Sequence, residues 1–63
     1  MTGPETPDEL AAALERDDEA RAAFDRLPPS HRREYADWIR EAKREETRRR
    51  RAGEAVERLR AGS

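Results

Sequence analysis

Besides Met1, only nine of the 63 residues carry a large apolar side chain: Leu10, Leu14, Phe24, Leu27, Tyr35, Trp38, Ile39, Val56 and Leu59. A chain of this length hides only roughly 60% of the surface its unfolded form exposes, so these few side chains must make one small core. Their spacing is helical. Leu10 and Leu14 stand four apart, Ala20, Ala23, Phe24 and Leu27 follow in steps of three, one and three, and Tyr35, Trp38, Ile39 and Ala42 recur at i, i+3, i+4, i+7. Such steps return to one face of a helix. The positions between them are rich in Ala, Arg and Glu, which lose little on entering a helix. The expected fold is all-α, a small bundle of three to four short helices. One domain is expected over residues 6–62, behind a flexible lead-in at residues 1–5 that contains Gly3 and Pro4.

Local signals mark where the helices start and stop. Thr6-Pro7-Asp8-Glu9 reads as a capping box, with Thr6 at the N-cap, Pro7 in the first turn and Glu9 reaching back; this helix runs to about Arg16. Asp17 then caps a second helix whose first turn holds Asp18 and Glu19, where acids suit the positive end of the helix dipole. Pro28 disfavours helical geometry at Leu27 and closes it. The third helix opens at Pro29 or Ser30 and runs to about Lys43. From Lys43 to Arg51 no residue is apolar, so a continuous helix would have no face to bury for over two turns. A break near Arg44 is favoured, with Glu45 and Glu46 opening a fourth helix through Ala52, Ala55, Val56 and Leu59. Gly53 strains that helix, and Gly62 ends it in a C-cap position.

Charged residues make up 46% of the chain but nearly cancel, at net −1, which is not the basic excess of a typical nucleic-acid binder. Their distribution is uneven. Residues 1–29 hold eight acids and three bases, net −5, and residues 30–63 hold seven acids and eleven bases, net +4. The two halves should therefore attract each other. There is no cysteine, hence no disulfide, thiol nucleophile or cysteine metal site. No apolar run is long enough to span a bilayer, and Met-Thr-Gly-Pro-Glu-Thr-Pro is neither basic nor apolar enough for a signal peptide, so a cytoplasmic location without membrane contact is expected.

Chemistry-bearing constellations are weak. His31 with Glu34 supplies too few ligands for a metal and stands better as a helix-start histidine packed on Tyr35 or bonded to a neighbouring turn. Ser30 and Thr47 have no base placed to activate them and suit helix termini. No cofactor, no metal and no catalytic residue is expected. Arg48, Arg49, Arg50 and Arg51 are consecutive cations that fan around a helix at about 100° per residue. Glu45–Arg49, Glu46–Arg50 and Glu54–Arg58 are i,i+4 pairs in the favourable order, which makes a solvated, salt-bridged face the first reading. With Arg32, Arg33, Arg40, Lys43 and Arg44 the same cations suit a surface for phosphate or an acidic protein. Trp38 beside Tyr35 and Ile39 reads first as core, and second as an anchor for a partner.

The sequence resembles the helical C-terminal region of the YdeI/OmpD-associated family of bacterial proteins, also called the bacteriocin-protection family. The residues that carry the resemblance are Pro7-Asp8-Glu9-Leu10 with Ala11 to Leu14, Ala23-Phe24, Leu27-Pro28-Pro29-Ser30-His31-Arg32-Arg33-Glu34-Tyr35, Trp38-Ile39, Glu41-Ala42-Lys43, Glu46-Thr47-Arg48 with Arg50-Arg51, and Ala55-Val56 with Leu59. They span residues 7–62. Members commonly carry this region behind a larger N-terminal domain. Three departures bear on the last helix: Glu45 stands where the family often has Pro, Ala52 where it usually has Ile, and Gly53 replaces a better helix former. An Ile lost without compensation weakens a core by about 2–5 kcal/mol. The resemblance implies association with tolerance of bacteriocins and antimicrobial peptides and with stress responses, and no catalytic residues. The expected function is a non-enzymatic interaction or accessory module, with Tyr35, Trp38, Arg48, Arg49, Arg50 and Arg51 as candidate partner-binding residues. A protein partner or self-association is favoured over nucleic acid, and no small-molecule substrate suggests itself. The alternative is a small nucleic-acid-binding module that uses the basic C-terminal half.

Overall fold

A computed structural model of the chain describes residues 6–62; the expected flexible lead-in at residues 1–5 lies outside them. Four helices follow one another, α1 (Asp8–Glu15), α2 (Asp18–Arg26), α3 (Pro29–Arg40) and α4 (Glu45–Arg60). There is no strand among the described residues, and the fold is all-α. α4 packs against each of the other three helices, most extensively against α1. Leu10 and Leu14 of α1, Ala20 and Phe24 of α2, Ile39 of α3, and Ala52, Ala55 and Leu59 of α4 form one buried cluster. Ala23, Leu27, Tyr35, Trp38 and Val56 pack on it from its edges.

The helix ends show which local signals were obeyed. Asp17 caps α2, its carboxylate accepting the Ala20 N–H at 3.1 Å. The break before α4 falls at Arg44, whose backbone is extended at φ −94° and ψ 139°, and Glu45 and Glu46 fill the first turn. Gly62, just past the C-cap Ala61, takes φ +81°, a conformation glycine adopts without steric cost. Two expectations are corrected. The capping box does not form: Pro7 occupies the N-cap, no side chain caps α1, and the Pro7 carbonyl accepts the Ala11 N–H at 2.9 Å. Glu9 turns instead to Arg48 of α4, because the first turn of α1 lies against that helix. α3 also stops at Arg40, short of Lys43. Arg48 explains the stop, donating to the carbonyls of Ala42 at 3.1 Å and Lys43 at 3.0 Å, which continued helix would turn into its own ladder.

The face of α3 is rotated from the expected one. Ala36 and Ile39 are fully buried, whereas Tyr35 and Trp38 are only partly buried. Tyr35 meets Phe24 edge to face, with ring centroids 6.4 Å apart. Attraction between the halves is visible in two contacts: Glu9–Arg48 at 3.1 Å and Asp17–Arg60 at 3.2 Å each join the acidic first half to α4.

Gly53 lies in the interior of α4, exposed, with nothing within 4 Å of where a Cβ would stand. Gly53→Ala should therefore raise the unfolding free energy by about 0.5–1 kcal/mol, read as a higher denaturation midpoint. Asp17→Ala should lower it by about 1–2 kcal/mol in the same measurement, since it removes both the cap of α2 and the contact to Arg60.

Candidate functional site

The run Arg48–Arg51 opens out around α4, and its members have separate surroundings. Arg48, 29% exposed in its side chain, bonds to Glu9, itself 17% exposed, as well as to the two carbonyls that follow α3. It is therefore a strut between α1, α4 and the turn before α4. Glu9 responds to this surrounding: its own backbone N–H first, and then the Arg48 guanidinium, hold its carboxyl below the ordinary carboxylate value. Arg49 pairs with Glu45 at 2.9 Å, with the two side chains 72% and 61% exposed. A pair so exposed contributes only a few tenths of a kcal/mol. Arg50 is exposed, and no ion pair joins it to Glu46 among the described residues. Arg51 donates to the Trp38 carbonyl at 2.6 Å and sets its guanidinium 5.4 Å from the centre of the Trp38 ring.

Seven residues further along α4, Arg58 stands over the same indole at 5.1 Å. Two cations on one ring fix the indole against α4 by cation–π attraction. Trp38 is thus neither fully in the core nor free at the surface. An open groove of about 360 Å³ runs beside it, lined by Leu27, His31, Glu34, Tyr35, Trp38 and Arg58. Its floor is apolar and aromatic, and its rim carries an imidazole, a carboxylate and a guanidinium. Arg32 stiffens the end nearest α2, donating to the Leu27 carbonyl at 2.6 Å and to the Asp25 carbonyl at 3.3 Å.

Of the six candidate residues, Tyr35 and Trp38 line this groove, and Arg51 bonds to the backbone of Trp38. Arg48 braces the opposite contact with α1, while Arg49 and Arg50 face solvent elsewhere on α4. Leu27, Glu34 and Arg58 belong to the groove and were absent from the sequence-derived set. A signal for Arg58 did exist, since it follows Arg51 by seven residues and so shares a helix face with it. His31 is exposed on the rim. Among the described residues no three side chains of the metal-ligating kind converge, and no helix is long and apolar enough to cross a membrane.

The family model described as bacteriocin-protection, YdeI or OmpD-associated matches residues 4–62. The chain belongs to this family. No curated protein and no solved structure matches it. In this member of the bacteriocin-protection family, the match takes in all four helices and every residue of the groove.

Glu9 supplies a pH test of the α1–α4 brace. Because its carboxyl titrates lower when folded, it contributes stability above the ordinary carboxylate range, and that contribution is lost as pH falls through the folded value. Glu9→Gln should be less stable than the parent at neutral pH by about 1 kcal/mol. Chemical denaturation across the acid range should show this difference closing as Glu9 protonates in the parent.

Proposed function

We propose that the chain is a non-enzymatic docking module, acting in the cytoplasm, that binds a protein partner through the groove between α3 and α4. The observation that carries this reading is that Tyr35 and Trp38 are left partly exposed on one groove while the interior is filled by leucines, alanines, Phe24 and Ile39. Aromatic side chains at a surface, rigid and apolar with a polar edge, are the residues that anchor protein interfaces. The charged rim suits the polar margin such interfaces carry. Bacteriocin protection, the description of the family, supplies the physiological setting, and a stress response is its natural extension.

The nucleic-acid reading draws less support. Arg48 and Arg51 are committed to internal carbonyls, to Glu9 and to Trp38, which leaves Arg49 and Arg50 of the run facing solvent.

The test is in-cell photo-crosslinking with a benzophenone amino acid at position 34 on the groove rim, and at the exposed Ala22 of α2 as control. Protein adducts specific to position 34 are expected. An absence of adducts there would overturn the proposal. So would tight, steeply salt-dependent binding of the purified chain to DNA or RNA that is abolished by Arg48→Glu, Arg49→Glu and Arg50→Glu together.

A further inference from the structure

We infer that the occupant of the groove is a second copy of this chain, joined across a two-fold axis; the inference rests on reading the groove as a docking surface. The patch is self-complementary in charge. α3 contributes Glu34 together with His31, Tyr35 and Trp38, α4 contributes Arg58, and Leu27 joins them from the end of α2. A two-fold axis along the groove turns the α3 wall of one copy onto the α4 wall of the other. Each Glu34 carboxylate then meets an Arg58 guanidinium of the opposite copy, twice by symmetry. A surface carrying charge of one sign would repel itself under the same operation, whereas here both rim contacts are attractive.

Burial points the same way. Among the side chains that are fully buried, the largest are Phe24, Leu10, Leu14, Ile39 and Leu59. Tyr35 and Trp38, bulkier than any of the aliphatic four, stay partly exposed beside Leu27. A chain of 63 residues has little core to spare, and a second copy covers this apolar floor with an identical one.

Sedimentation equilibrium on the 63-residue chain, from micromolar to millimolar and at two salt levels, should show a reversible dimer that survives the higher salt. Glu34→Arg, on an exposed position, should raise the dissociation constant by about tenfold or more with helicity unchanged by circular dichroism. Arg58→Glu should do likewise. An equimolar mixture of the two variants should recover the dimer, because the two substituted side chains then face each other across one rim with their charges exchanged, and the original Glu34 and Arg58 face each other across the other. If Arg58→Glu loses helicity, Glu34→Arg alone decides, and an unchanged dissociation constant overturns the inference. A chain that is monomeric throughout also overturns it. In that case, crosslinks from position 34 to a different protein would leave the docking role standing, and their absence would remove both.

Discussion

α4 must come close to three helices at once, and two small side chains on it permit this. Ala52 and Ala55 lie in one buried cluster with Leu10, Leu14, Ala20, Phe24 and Ile39, and Leu59 is the sole large side chain that α4 sends fully into it. Small residues at a helix contact let the backbones approach, so that the few leucines of α1 and Phe24 of α2 are reached from the other side. α1 packs against α4 more extensively than α2 or α3 does.

That approach also decides what the charges do. With 46% of residues charged, most of the surface is ionic, and an exposed pair such as Glu45–Arg49 adds little. Where helices meet, the arginine side chain has a different role. Arg48 satisfies the carbonyls freed at the end of α3 and holds Glu9 of α1; Arg51 reaches the Trp38 carbonyl; Arg32 closes the end of α2. A planar guanidinium with five donors can meet several carbonyls from one position, which a lysine ammonium does less well. Thirteen of the fourteen basic residues are arginine. Two arginines hold Trp38 against α4, and Trp38 and Tyr35, both partly buried, line the groove.

Much of the architecture is legible in the sequence. The Asp17 cap, the stop at Pro28, the start at Pro29 and the break at Arg44 are local events, governed by φ restriction, capping chemistry and the lack of anything to bury between Lys43 and Arg51. Where reading failed, a distant partner had intervened. Glu9 has the right spacing for a capping box, but Pro7 takes the N-cap and has no N–H to offer, and Glu9 instead accepts from a guanidinium 39 residues away. The candidate site was read in half: the period of α3 selected Tyr35 and Trp38, while Glu34 and Arg58 join them only because α3 and α4 lie side by side. Arg48, by contrast with Arg49 and Arg50, is bonded to Glu9 and to the turn before α4.

From the sequence by itself came four helices, their approximate limits, the opposition of an acidic and a basic half, and the family, because each depends on short-range periodicity, turn chemistry or matched motifs. Tertiary structure decided which arginines are struts, which way α3 is rolled, and that its aromatics form an outer groove instead of the centre of the core. Those outcomes depend on how closely α4 approaches the other helices, a distance set jointly by alanines, leucines and guanidiniums far apart in the chain. No local pattern encodes it.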